Sequence, residues 1–252
     1  MNAVIAGILT FVAILSGALS GVWMARRLPE DHLSSESRTA VSVSMAVVGT
    51  LSALVMGLLL SNASASFSAR ADAVHNLAID IIRLDRALDR YGPEASPIRQ
   101  LLQSYAQTKT QGLAVHSSSA GLDYPSLATF EDMSAKVYEL RPGTGREHVT
   151  KEQAIKLLDG IASARWTLIE KSDGALPMPF FGILILWLAL LFGSFGLFAP
   201  PNATVVVILL LCGAAISGGV FMILELGTAT EGLVRVSIKP MFNAIRELSS
   251  RP

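Results

Sequence analysis

The side chains in this sequence that could do chemistry are two pairs of carboxylates and four scattered histidines, and their spacing argues against it. Asp85 and Asp89 stand four residues apart, and Glu131 and Asp132 are adjacent. Paired carboxylates can hold a divalent cation or divide acid and base roles. A Ca²⁺ loop, however, alternates its ligands around a glycine turn, and a catalytic pair needs a nucleophile beside it. Neither pair has such neighbours, so both are expected on solvated helical faces and in ion pairs between subunits. His32, His75, His116 and His148 lie far apart, without the spacing of metal ligands. Cys212, the only cysteine, sits in an apolar run, which excludes an intrachain disulfide and a cysteine-ligated metal. With 20 basic and 20 acidic side chains there is no net field to attract nucleic acid. The expectation is therefore a protein that is not an enzyme, with no cofactor, no metal and no nucleic-acid partner.

What remains is a set of hydroxyls and very small side chains at helical spacing. On a wheel of about 100° per residue, Ser42, Ala46, Gly49, Ser52, Ala53, Met56, Leu60 and Ala63 share one face, while Val43, Val47, Leu51, Leu54 and Leu58 share the other. Branched aliphatics suit lipid, whereas small and weakly polar side chains suit close helix contact. Gly17 and Gly21, with Ser16 and Ser20 beside them, and Gly213 with Ser217 to Gly219, give two further segments such a face. Two readings of the face containing Ser42 stay open. It holds a helix bundle together, or it lines a pore: Ser42, Gly49 and Ser52 would then offer hydroxyls and space, and Met56 with Leu60 an apolar constriction that gates by dewetting.

The elements that carry these faces are membrane helices. Only 16% of the 252 residues are charged and 51% are hydrophobic, against about a quarter charged in a soluble domain. Four charge-free runs approach or exceed the ~20 apolar residues needed to cross a bilayer: Ala3 to Met24, Thr39 to Leu60, Phe180 to Phe198, and Ala203 to Leu224. The first has no basic residue before it and is long for a signal peptide, so it is expected to be retained, with Trp23 as an interfacial anchor. Residues 25–38 and the turn Ala199-Pro200-Pro201-Asn202 join the segments into two hairpins. Ion-coupled transporters and proton relays usually place charges within the membrane, and these segments contain none.

Residues 63–176 hold 13 of the 20 basic and 14 of the 20 acidic side chains, so they face water. From Gly57 to Gly92 no intervening Gly or Pro interrupts the chain, and the second membrane helix is expected to continue outward as one rod. Val74, Leu77, Ile81, Leu84, Leu88 and Tyr91 then mark its buried seam. Further helices are expected from Pro97 to His116, from Pro125 to Leu140, and from Thr150 to Lys171. The last would open on a capping Thr150 with Gln153 three residues later and present Ile155, Leu158, Ile161, Ala162, Trp166 and Ile169. A short amphipathic helix starts at Pro240 and should dock on the insert. No strand pattern appears. The fold class expected is an all-α membrane protein: four transmembrane helices in two hairpins, with an all-helical soluble insert between helices 2 and 3. The divisions are residues 1–62, 63–176, 177–225 and a tail 226–252.

Several runs together resemble the bacterial bestrophin-like membrane proteins. They are Arg27-Leu28-Pro29, the helix from Gly49 to Leu60, Leu84-Asp-Arg-Ala-Leu-Asp-Arg-Tyr-Gly92, Trp187 to Phe198, and Leu224-Glu-Leu226 with Gly232-Leu-Val-Arg-Val-Ser237. Where other members read Leu-Asp-Arg-Pro-Phe after the fourth helix, this chain has Gly227-Thr-Ala-Thr230. The resemblance implies kinship with bestrophins, which are pentameric anion channels. In those the second helix lines the pore, a cytosolic helical insert follows it, and the tail wraps the insert. No equivalent of the bestrophin Ca²⁺ clasp is found here. The expected function is a homo-oligomeric ion channel, pentameric by family analogy and passing anions such as chloride. Its pore is lined by Ser42, Gly49, Ser52, Met56 and Leu60. The alternative is a membrane-anchored sensory or scaffold protein whose insert recruits a partner. Basic residues near the membrane are more numerous on the insert side, although Arg26 and Arg27 flank the first helix on the other. With the resemblance, this favours a cell inner membrane protein whose insert and termini face the cytoplasm.

Overall fold

The computed structural model describes residues 3–29, 32, 34–114, 124–172, 178–200, 202–227 and 234–250. Among them there is no strand, and the chain runs through eight α-helices: α1 (Ala3–Ala25), α2 (Ser35–Tyr91), α3 (Ser96–Ala114), α4 (Tyr124–Glu139), α5 (Gly145–Ser172), α6 (Met178–Phe198), α7 (Ala203–Gly227) and α8 (Lys239–Ser249). Four of them, α1, α2, α6 and α7, are long and apolar enough to cross a membrane. The break at Ser117–Gly121 and the turn at 228–230 lie outside the described residues. The helices divide into two compact units, Met1–Ala65 with Ala175–Thr228, and Ser66–Gly174 with Ala229–Pro252.

The first unit contains the four apolar helices. Ile14 and Ala18 of α1, Leu59 and Ala63 of α2, Leu184, Leu188 and Phe192 of α6, and Val220 and Ile223 of α7 form one buried cluster. Its closest crossing is glycine against backbone. A Cβ on Gly17 would fall inside the carbonyl of Ala189, one on Gly21 inside that of Gly193, and one on Gly196 inside that of Ala18. Helices in lipid gain little from hydrophobic burial against one another, and small residues let backbones approach for dispersion contact. Gly213 of α7 meets α1 more loosely, its Cβ position lying 3.3 Å from Ile14.

The second unit is built on residues 66–91 of α2. Val74, Leu77, Ile81, Leu84, Leu88 and Tyr91 are buried at the expected three- and four-residue spacing. Against them pack Ile98, Leu102 and Tyr105 of α3, Met133 and Val137 of α4, Leu158 and Ile161 of α5, and Met241, Ala244 and Leu248 of α8. Gly92, at φ 122°, ends α2 in a conformation that favours glycine, and a 3₁₀ turn at Pro93–Ala95 leads into α3. Three sequence expectations are corrected here. Helix α5 opens at Gly145, not Thr150: Thr144 Oγ1 accepts the Glu147 N–H at 3.2 Å, and Glu147 Oε2 accepts from Gly143 and Thr144. This is a capping box six residues earlier, and the Thr150 hydroxyl donates to Arg146 O inside the helix. Trp166, expected in the core, is 68% exposed, because Ala164 and Leu168 take the buried face. Asp85 is not on a solvated face. It is buried and accepts from Arg99 Nε at 2.8 Å, while Arg99 Nη1 reaches Asp89 at 3.1 Å. Both carboxylates serve a pair within the chain, and they hold the start of α3 on α2.

Candidate functional site

The membrane part of α2 starts at a serine cap, with Ser34 Oγ accepting the Ser37 N–H at 3.3 Å. The helix then runs on through Gly49 and Gly57 without a break. It is the least covered of the four: 11% of its apolar window is buried, against 33% for α6. A helix with so much bare surface in a single chain has room for another partner on that surface.

The five residues singled out from the sequence are not brought to one surface. Ser52 is buried and donates to Val48 O at 2.8 Å. Met56 is half-buried, with Cε 3.1 Å from the Cβ position of Gly219 on α7. Gly49 faces the methyls of Leu191 on α6, 3.7 Å from its Cβ position. Ser42 is exposed beside a groove that Gly49 also lines. Leu60 is exposed. The half of the small-residue face around Ser52 is thus turned into the bundle, and the other half is bare.

The bare half includes Thr50 and Ser61, which stand outside the face assigned from the sequence. Thr50, Ala53, Gly57, Leu60 and Ser61 are all exposed and fall within about 100° of the helix circumference. Nothing lies within 4 Å of a Cβ on Gly57. The Thr50 hydroxyl donates to the carbonyls of Ala46 or Val47, each at 2.9 Å, so its polar group is satisfied by its own helix whether water or hydrocarbon lies outside. The arc carries no charge; the first ionised side chain beyond it is Arg70, in the second unit. The signal that could have found this arc was the three- and four-residue recurrence Thr50, Ala53, Gly57, Ser61, Ser64, which competes with the Ser52 stripe on the same helix.

In the second unit the polar cavity is a groove of about 620 Å³ between α2 and α5, walled by Asp72, Asn76, Asp80, Arg83, Ser163 and Thr167 among others. Asp80 reaches over Gly160, where a Cβ would collide with its carboxylate. Burial pushes the Asp80 carboxyl above its ordinary value, and Arg83 partly offsets this. Among the described residues no three His, Cys, Asp or Glu side chains come together as a metal-ion site.

Residues 12–241 match the sequence pattern of the Bestrophin-like domain, most of the chain. The chain belongs to the bestrophin-like family. Its fold is also that of solved relatives. A bacterial bestrophin homologue from Klebsiella pneumoniae matches this bestrophin-like chain with a TM-score of 0.72 at 15% identity, over 98% of this chain and 97% of that one. A point mutant of the Klebsiella homologue gives 0.71 at 15% identity over 99% and 98%. A further solved membrane protein gives 0.73 at 14% identity over 98% and 97%. At such identities the likeness is one of fold, carried by helix order and packing. No curated protein sequence matches the bestrophin-like chain.

Proposed function

We propose that this bestrophin-like protein is a homo-oligomeric ion channel whose α2 helices surround the axis, with Thr50, Ala53, Gly57, Leu60 and Ser61 facing the pore. The observation that carries this reading is the bare, small and uncharged arc of α2 in a bundle whose other three helices are better covered. A closed ring of identical chains would cover the rest of that surface and leave a central path. Ser42 and Gly49 then wall a lateral groove, and Ser52 and Met56 support the helix from behind. Leu60, the large apolar side chain on the arc, makes a constriction that conducts when wetted. By kinship the ring is a pentamer that passes anions such as chloride in an inner membrane, with the helical unit in the cytoplasm.

Chloride flux from liposomes checks the assignment. Leu60→Ser is expected to raise basal flux severalfold, and Met56→Ser to leave it near the parent value, because Met56 packs on Gly219. A change with Met56→Ser alone would place the inner face at the pore and overturn the arc. A second reading, a membrane-anchored scaffold, draws on the exposed aromatic Trp166 in the second unit. A protein that stays monomeric and conducts no ion favours it.

A further inference from the structure

The first unit carries a groove of about 500 Å³ between α2, α6 and α7, at the end nearest the 25–38 connection. Met45 and Gly49 of α2, Phe195 and Phe198 of α6 and Ile208 of α7 line it, and Arg38 stands at its mouth. Its walls are mostly apolar: the Ser194 hydroxyl is turned to Leu191 O at 2.7 Å, which leaves Ser42 as the polar side chain on the wall beside Arg38. The Arg38 side chain is exposed, and among the described residues no carboxylate pairs with it. The nearest acid in sequence, Glu36, is held at the helix start by its own backbone N–H and by Ser34 and Ser35. A guanidinium at the mouth of an apolar slot has a definite complement: an anionic head on an apolar chain.

Two further observations fix where this complement would come from. Arg38 and Gly49 are eleven residues apart on one helix, about 16 Å at 1.5 Å per residue, close to half of the ~30 Å hydrocarbon core. With the Thr39–Leu60 run across the bilayer, the groove would extend from headgroup level to near the midplane. On the same side, the Arg27 guanidinium lies 4.7 Å from the centroid of Trp23 at the end of α1, an aromatic and cationic pairing suited to the interface.

We infer that this groove is a phospholipid site, in which one acyl chain lies between α2, α6 and α7 and the phosphate is bound by Arg38. Guanidinium matches phosphate in a forked, charge-assisted pairing. The acyl chain would lie along Met45, Phe195, Phe198 and Ile208. Its test reads binding and not flux, so failure of this inference and failure of the channel reading are distinguishable.

Native mass spectrometry of the full chain in detergent, titrated with dioleoyl phosphatidylglycerol, tests it. One lipid per chain is expected at saturation. Arg38→Gln should weaken binding about tenfold, as for loss of a charge-assisted hydrogen bond. Val205→Phe, which fills the groove from α7, should abolish it. Arg38→Gln changes an exposed side chain, so it carries the test even if Val205→Phe fails to fold. Equal binding by the parent and Arg38→Gln would assign the lipid to the general annulus and overturn the site. So would displacement by inorganic phosphate alone, which marks a free-anion site, or lipid bound only to monomer, which marks the groove as a contact between copies.

Discussion

Individual side chains show how far environment outweighs residue type. Asp85 and Asp89 carry the same group four residues apart; Asp85 is buried against Arg99, and Asp89 is half-open at the rim. Asp80, on the same helix, has no such partner and sits over Gly160 at the edge of a groove. Burial raises its carboxyl above the ordinary value near 3.8, against the pull of Arg83. The folded state therefore holds the Asp80 proton more tightly than the unfolded chain does. That favourable contribution is complete below the ordinary value and is lost as pH rises through the raised one. At neutral pH Asp80→Asn should consequently raise the melting temperature. The gain should shrink as pH falls and vanish once the carboxyl is protonated in both states. Melting curves from about pH 3 to pH 8, spanning the range where carboxylates titrate, check this, and a gain independent of pH would assign the effect to packing alone.

At the scale of the element, one residue type does opposite work on neighbouring helices. Glycines at 17, 21 and 196 let the backbones of α1 and α6 touch, whereas Gly57 on α2 has open space around it. Gly196→Ala must push α1 and α6 apart and is expected to cost about 2 kcal/mol, in the range of overpacked cores. Gly57→Ala should be neutral or stabilise by up to ~1 kcal/mol, since alanine is the better helix former. Detergent-denaturation midpoints of the two variants separate these outcomes. The same contrast explains why a recurring small residue does not by itself say whether a face is packed or bare.

For the whole molecule, the large exposed apolar surfaces are the feature a single chain leaves unaccounted for. Most of those in the first unit suit lipid, but Trp166, at 68% exposure, lies in the second unit, which holds most of the charged side chains. Single exposed apolar side chains are common on protein surfaces, but tryptophan is enriched where chains meet. In the homo-oligomer we propose, Trp166→Glu should shift the assembly towards smaller species, as read by mass photometry. An unchanged subunit number would remove Trp166 from any contact between copies.

Much of this architecture follows from the sequence alone, for reasons of solvent. A helix in hydrocarbon needs a long run without charge, and four such runs announce α1, α2, α6 and α7. The absence of Gly and Pro between Gly57 and Gly92 announces the continuous α2, and the Val74–Tyr91 seam announces which side of it is buried in the second unit. The family, too, was legible, because its marks are spread along the chain. Where a helix starts and which face is covered, only tertiary structure decided. The sequence reading opened α5 at Thr150 with Gln153, whereas Thr144 with Glu147 caps it because the hydrogen bonds form there. Ser52, read from the sequence as pore-lining, is buried because α6 and α7 cover that side, while Thr50 nearby is exposed. Helical periodicity fixes which residues share a face, whereas which face is covered depends on neighbours distant in sequence, and so only the folded bundle decided it.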